Sequence, residues 1–488
     1  MNFNKQQLET INHKDGACAV ISGAGSGKTT VLLNRIENLI SSHNVPQRDI
    51  LTISFTRNTA NELKKKLEAK GYDNVKTGTF HALCMDILAK ENFNIKNIIA
   101  EWDSQKIFVK ANYNEDVDVK DILSFIGYQK NNMINWDGDF LKKESKYSSS
   151  ELRKFYKAYE AAKQQERKYD LDDYLLECYK ILLVNKGKYT WDYVLVDEHQ
   201  DNNLVQNLLI NEWCKRDNLM VIGDFRQAIY SFRGARPELF MNFYKEHKNT
   251  KVLNLDINYR SCKNIVDKSN NFIKRYYGDY TYYSDSIANN QENGTINTSS
   301  FHDRKEESQK IVESIELLIK NGESPKEIAI LYRNNSHADY IECELREKNI
   351  QYDIVNDSSF FKRKEIAMIL NILRLIKNAH DDEAFELLYK SGCYPLTKCC
   401  NKTLENVKQI AGKKNLSYYE SFIDYKFDKS WEKSSVFPLK DALLNLKSQN
   451  EKGIDVQTLI NNVIKSFRIH NYIETNYKKQ EDIDDRVD

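Results

Sequence analysis

Three short stretches of the chain are apolar without interruption: Ala19-Val20-Ile21, Tyr193–Val196 and Leu219–Ile222. Their length and β-branched content predict strands buried on both faces, as in a parallel sheet. The first leads through a glycine-rich turn into LLNRIENLI, where apolar residues recur at helical spacing. The stretch from about Asp86 to Glu166 is charged and helical in pattern, as in SELRKFYKAYEAAKQQERK. Its charge reads as a solvated helical face, with a nucleic-acid-binding face as the less common alternative. After Ile376-Lys377-Asn378 the chain again reads as low-glycine helix. Strands that alternate with helices predict an α/β fold, and the charged stretch predicts a helical insertion within it.

Composition narrows the class. At roughly 150 residues per domain, 488 residues suggest about three domains. Hydrophobic residues at 41% and charged residues at 29% exclude wholesale disorder. No apolar run approaches the ~20 residues needed to span a bilayer, so no membrane partner is expected. Lys and Arg number 72 against 71 Asp and Glu, so any polyanion must be met by local patches. Nine scattered cysteines fit a reducing, cytoplasmic setting better than a disulfide framework. The cluster Cys393, Cys399 and Cys400 lacks an evident fourth ligand and reads as ordinary thiols rather than a metal site.

The sharpest local signal is Ser22-Gly23-Ala24-Gly25-Ser26-Gly27-Lys28-Thr29-Thr30 between predicted strand and helix. Such a loop curls successive backbone N–H groups around phosphate oxygens, and the helix N-terminus adds its dipole. Lys28 would reach the β- and γ-phosphates of ATP, and Thr29 would ligate Mg²⁺. Ser22 stands where the strict pattern has glycine; the alternative is a glycine-rich surface turn.

A nucleotidase also needs acids at the end of another strand. Asp197 and Glu198 follow Tyr193–Val196; Asp197 would hold the metal and Glu198 would orient or deprotonate the attacking water. Without the phosphate loop they would read as a solvated strand end. Lys28 and Asp197 lie 169 positions apart, which calls for an inserted subdomain. Beyond the third strand comes Gly223-Asp224-Phe225-Arg226-Gln227-Ala228-Ile229-Tyr230-Ser231-Phe232-Arg233-Gly234-Ala235. There Gln227 could sense the γ-phosphate, while Tyr230, Phe232 and Arg233 could stack on or bind a strand of bases.

At this point the chain resembles the UvrD/Rep-type superfamily 1 DNA helicases, whose DExQD and GDxxQSIYxFRGA appear here as DEHQD and GDFRQAIYSFRGA. The resemblance continues in order along the chain. Phe3-Asn4-Lys5-Gln6-Gln7 resembles the adenine-reading motif and implies adenine contacts for Gln7. Leu51–Thr56 and Gly78–Ala82 resemble two motifs that touch single-stranded DNA, which adds Phe55, Thr56, Thr79, Phe80 and His81. For Phe55 and Phe80, base stacking and hydrophobic core fit the residues equally well. Leu255–Ser261 resembles the motif whose Tyr259 stacks on adenine and whose Arg260 binds the γ-phosphate; a surface salt bridge is the alternative for Arg260. Asp170–Leu175 resembles the return from the insertion. Ala329–Asn334 and Phe360–Ile366 resemble the opening of a second motor domain. His81 and His199 read as hydrogen-bonding or DNA-facing residues rather than metal ligands. His199, Asn202, Ala228 and Asn356-Asp357 depart from common family residues without removing a phosphate- or metal-binding group.

The resemblance implies a RecA-like, doubly wound parallel sheet of the P-loop NTPase kind with helical insertions. Residues 1–83 and 167–275 would form the first motor domain and 84–166 its insertion. Residues 276–378 would open the second motor domain, and 379–488 would be an incomplete insertion. It further implies ATP and Mg²⁺ as ligands, single-stranded DNA and duplex junctions as partners, and 3′→5′ unwinding in repair or replication. Two later family motifs, TxHxxKGLE and an arginine finger in VAxTRA, do not occur in the last 120 or so residues. The expectation is therefore a chain that covers the N-terminal two-thirds of such a helicase and ends inside a helix at Asp484–Asp488. Since an arginine finger is worth ~10³–10⁵ in turnover, slow hydrolysis would follow. A binding module that does not unwind, or a motor subunit that relies on a partner chain, is the other reading.

Overall fold

The computed structural model describes residues 3–94, 97–99, 104, 107–108, 111, 117–141, 144–334, 336–355, 363–398, 400–414, 416–427 and 433–476. Asn356-Asp357, Phe360–Lys362, Cys399 and Asp484–Asp488, all used in the sequence reading, lie outside them. Two compact units emerge, residues 1–297 and 298–488.

The first unit is built on a six-stranded, all-parallel sheet in the order β3-β2-β4-β5-β1-β6. The strands are β1 (Cys18–Ser22), β2 (Ile50–Ile53), β3 (Lys76–Gly78), β4 (Tyr193–Val196), β5 (Leu219–Gly223) and β6 (Lys251–Leu255). β1, β2, β4 and β5 are buried at every position, which is why they read as unbroken apolar runs. Alternate residues feed two cores. On one face Ile21, Val196 and Val221 meet Leu83, Tyr174, Leu209 and Trp213 from the helices Phe80–Lys90, Leu171–Val184 and Leu204–Trp213. On the other, Val20, Leu195 and Ile222 meet Leu32, Ile36 and Leu67 from Lys28–Ser41 and Arg57–Glu68. Helices on both faces make this the doubly wound α/β fold expected from the motifs. Because every strand is parallel, the loops after β1, β2, β4, β5 and β6 open on one edge of the sheet.

The helical insertion has its own core of Phe108, Ile122, Phe125, Phe155, Tyr156 and Tyr159. Its helices Val119–Asn131 and Ser149–Glu166 each begin at a side-chain cap, Asp118 and Ser148. β7 (Ile257–Cys262) follows β6 and pairs with β8 (Ile287–Asn290) around the helix Lys263–Tyr277. That pairing keeps the first unit continuous to Asn297, past the residue 276 at which sequence expectation opened the second motor domain.

The second unit is helical in its described residues, and Ala329–Asn334, read as the opening of a motor domain, forms no strand. One core joins Arg304–Lys320 to Ser336–Glu347 through Val312, Ile315, Ile341 and Leu345. A larger one gathers Ile372, Phe385, Leu388, Phe422, Leu439 and Phe467 from the later helices. Cys393 is buried there, and burial pushes its thiol up to about 11, the behaviour of a small apolar side chain. Among the described residues no helix is long and apolar enough to cross a membrane.

Candidate nucleotide and strand-binding site

The phosphate loop leaves β1 at Ser22, and its tip glycines Gly25 and Gly27 take φ of +68° and +85°, a region that side chains resist. Gly27 starts the helix Lys28–Ser41. Ser22, the departure from the strict pattern, is buried with its Oγ 2.7 Å from Ser26 Oγ, so it braces the loop from below. Gly23 N donates to Leu255 O of β6 at 3.1 Å. A Cβ on Gly25 would fall 2.7 Å from Arg260 Cβ and 2.9 Å from Asn258 Oδ1. The start of β7 therefore rests on the loop tip, and Tyr259 N donates to Gly25 O at 2.9 Å. Ala24 and Thr29 are exposed, while Lys28 and Thr30 are half-buried.

Asp197 and Glu198 extend from β4 toward this loop. Lys28 Nζ donates to both carboxylate oxygens of Glu198, at 2.9 and 2.8 Å. Burial, then the charge of Glu198, raises the Asp197 carboxyl to about 6, against a smaller opposing pull from Lys28. The same two causes raise Asp201 to about 6. A buried acid beside like charges gains from a cation. Carboxylate and hydroxyl oxygens are the donors a hard divalent cation takes. Glu198 has φ of +51°, left-handed backbone at a non-glycine residue, a conformation that costs about 1–3 kcal/mol and clusters at working sites.

Gln200, not singled out from sequence, ties β4 to β5. Its Nε2 donates to Glu198 Oε2 at 3.0 Å, and its Oε1 accepts from Asp224 N at 2.9 Å. Asp224 in turn accepts from Gln227 Nε2 on Oδ2 and from Arg226 Nε on Oδ1, both at 2.6 Å. His199 points away from all of this. It is fully buried between Phe240 and Phe243, and burial lowers its imidazole to about 4, so it is a neutral core residue and not a DNA-facing one.

At the far side of the loop, Asn4 caps the helix Lys5–Asn12, and Gln7 reciprocates with its side chain. Gln7 Nε2 also donates to Ser26 O at 3.1 Å, which seats the residue against the phosphate loop. Its amide still has one proton and one lone pair to offer a base. Asn4 Nδ2 donates to the Tyr259 hydroxyl at 2.8 Å, and the Tyr259 ring is 45% exposed.

The residues read as strand contacts divide. Phe55, after β2, and Tyr230, after β5, have ring centroids 5.2 Å apart; Phe232 continues the row at 6.1 Å from Tyr230. The Arg233 guanidinium lies over both latter rings, and Phe232 is 61% exposed. Phe80 is different: at 2% exposure it stacks on Trp213 in the sheet core, so of its two sequence readings the core holds. Thr56 and Thr79 are helix caps, accepting from Thr59 N and Ala82 N. His81 is half-buried, and burial holds its imidazole below the ordinary value.

The insertion is fastened to the same region. Asn203, which caps the helix after DEHQD, donates from Nδ2 to Asn131 Oδ1 at 2.8 Å. Asn131 Nδ2 donates to Asp172 Oδ1 at 3.1 Å. Below them Lys130 and Lys163 are buried with Glu160, Asp170 and Asp173, at 2.5 to 3.0 Å. Sequence reading treated this charge as a solvated helical face; two of its lysines are instead core.

Comparisons with known proteins find family models over most of the chain. The UvrD/REP helicase N-terminal domain model matches residues 3–248, and the UvrD-like helicase C-terminal domain model matches residues 253–485. The second match shows the C-terminal family domain to be present, which corrects the expectation of a chain limited to the N-terminal two-thirds of such a helicase. An ATP-dependent DNA helicase Rep of Buchnera aphidicola subsp. Schizaphis graminum is 31% identical, over 92% of this chain and 70% of its own length. A Rep helicase of Buchnera aphidicola subsp. Baizongia pistaciae is 30% identical, over 94% and 69%. ATP-dependent DNA helicase PcrA of Bacillus subtilis is 30% identical, over 87% of this chain and 59% of its own length.

Proposed function

The chain belongs to the UvrD/Rep helicase family, and we propose that it couples ATP hydrolysis to 3′→5′ movement along single-stranded DNA and opening of the duplex ahead. The observation that carries this reading is the meeting of Lys28 with Glu198 at the mouth of the phosphate loop, on the sheet edge that also bears the Phe55–Tyr230–Phe232 row. The loop amides and Lys28 bind the phosphates; Gln7 and the exposed Tyr259 ring hold adenine. Arg260, carried onto the loop tip by β7, serves the γ-phosphate as a planar donor fork. Mg²⁺, held by Thr29 and Asp197, would neutralise phosphate charge. Arriving phosphates draw Lys28 away from Glu198, whose released carboxylate then takes a proton from the attacking water. Gln227 reports the γ-phosphate to the aromatic row three residues on. Rings accept any base because every base has a π-face, which suits sequence-independent movement.

The test is hydrolysis by the whole chain with and without single-stranded DNA, beside Lys28→Ala, followed by unwinding of duplexes tailed at either end. DNA-stimulated, Lys28-dependent hydrolysis with unwinding from the 3′ tail is expected. Hydrolysis without any unwinding would reduce the proposal to a DNA-dependent ATPase, and a preference for 5′ tails would reverse the polarity.

A further inference from the structure

We propose that Arg226 is a positioning residue that couples the two ends of the nucleotide site, the γ-phosphate end at Gln227 and the base end at Gln6 and Gln7. The inference rests on the ATP-site reading above and extends it to groups that touch no nucleotide themselves. Arg226 is 9% exposed in its side chain, and its partner Asp224 is 2% exposed. The Asp224 carboxylate is divided between two holders. Oδ1 accepts from Arg226 N at 3.1 Å and from Arg226 Nε at 2.6 Å; Oδ2 accepts from Gln227 Nε2 at 2.6 Å. The orientation of Gln227 is thus set by a carboxylate that Arg226 clamps.

The other prong of the guanidinium leads away. Arg226 Nη1 donates to Ser284 O at 3.2 Å. Ser284 Oγ donates to Asp256 Oδ1 at 2.5 Å and accepts from Asn254 Nδ2 at 3.0 Å. Asp256 then grips Gln6 twice: Gln6 Nε2 donates to Asp256 Oδ2 at 2.8 Å, and Asp256 N donates to Gln6 Oε1 at 3.1 Å. Gln6 is the neighbour of Gln7 in the helix whose cap meets Tyr259. The chain of contacts runs Gln227–Asp224–Arg226–Ser284–Asp256–Gln6, passing behind the phosphate loop. It touches the loop as well, since a Cβ on Gly23 would stand 3.1 Å from Arg226 Nη2. Phe225, beside Arg226, is wedged against Tyr277 and Tyr280 at 5.0 Å each, which fixes the segment that delivers Ser284.

Each link is directional, so base and γ-phosphate geometry move together. A planar fork can serve Asp224 and Ser284 at once, whereas a lysine is a single point charge. The Ser284 hydroxyl is a second break point that leaves the Arg226–Asp224 clamp intact.

The experiment measures binding of a fluorescent ATP analogue to the full chain, competed by ATP or by GTP, together with kcat/KM for each nucleotide. The parent should favour ATP. Arg226→Ala should lower that preference about tenfold, within the ~5–150-fold range of coupling between sites. Arg226→Lys should retain part of it, and Ser284→Ala should lower it in the same direction by less. An Arg226→Ala protein that melts earlier but keeps the parent's ATP-to-GTP ratio would overturn the proposal. So would a Ser284→Ala protein with an unchanged ratio, which also decides the matter if Arg226→Ala does not fold. A parent that binds neither nucleotide would overturn the ATP-site reading itself, and that failure is recognised in the parent rather than in the variants.

Discussion

Lys28 and Glu198 close on each other across the phosphate loop, Nζ within 2.9 Å of both carboxylate oxygens, although 170 positions separate them in sequence. In this arrangement the proposed phosphate-binding cation and the proposed water-activating base neutralise each other. Glu198→Gln should therefore lower turnover by ~10²–10⁴ while leaving ATP affinity equal or higher, because Lys28 is no longer held by a carboxylate. Lys28→Ala should lose nucleotide binding as well. Parallel binding and hydrolysis measurements separate the two; equal loss of ATP affinity in both variants would contradict the assignment.

The raised acids set a pH signature. Asp197 and Asp201 have folded-state values of about 6, above the ordinary carboxylate value. The folded chain therefore keeps protons that the unfolded chain releases, and these two groups subtract stability as pH rises from about 4 through 6. A divalent cation compensates only the ionised form. Stabilisation by Mg²⁺ with a non-hydrolysable ATP analogue should be greater at pH 7.5 than at pH 5.5, and Asp197→Asn should flatten the difference. Melting curves at the two pH values read this directly.

The aromatic residues make a contrast that one assay can resolve. Phe232→Ala and Tyr230→Ala should each weaken single-stranded DNA binding by about 1–3 kcal/mol with little change in melting temperature. Phe80→Ala should cost about 3–5 kcal/mol of stability, through loss of its stack on Trp213, with DNA affinity unchanged in whatever fraction stays folded. A large DNA defect in a stable Phe80→Ala protein would reverse that division.

The buried cluster in the insertion should be sensitive to loss of one partner. Burial alone would push Asp170 up, but Lys130 and Lys163 outweigh it and hold it well below the usual carboxylate range. Its contribution is present above the ordinary carboxylate value and is lost on acidification toward the lower folded value. Lys163→Met leaves three carboxylates to a single lysine and should destabilise the first unit by about 3–5 kcal/mol in denaturant unfolding. A loss below about 1 kcal/mol would mean that the carboxylates regain water at little cost.

Much of this was readable in the chain, for physical reasons. Buried parallel strands leave unbroken apolar runs, and a phosphate loop needs glycines at fixed places, so β1, β4, β5 and their terminal acids stand out. Side chains that work by holding other side chains leave no such trace. Gln200, Arg226, Ser284 and Asn131 are ordinary polar residues until the fold brings their partners near. Ambiguity was greatest where one residue type serves two purposes: Phe55 and Phe80 read alike, yet one joins a partly open row and the other fills a core. Charge misled for the same reason, because Lys130 and Lys163 are indistinguishable in sequence from solvated lysines until Asp170 and Asp173 return from the far end of the insertion.

The place of β1 in the sheet also bears on how the chain is made. β1 lies between β5 and β6, so the strand that carries the phosphate loop leaves the ribosome about 200 residues before either neighbour exists. β2 and β3 can pair early, and the insertion can collapse on its own core, but the first strand must wait, apolar and unpaired on both edges. Nucleotide binding is therefore among the last properties the nascent first unit acquires. Late closure of such long-range pairing is slow and leaves aggregation-prone edges open in the interval. The strand order that brings Lys28 to Glu198 in the finished protein is also what makes its synthesis hazardous.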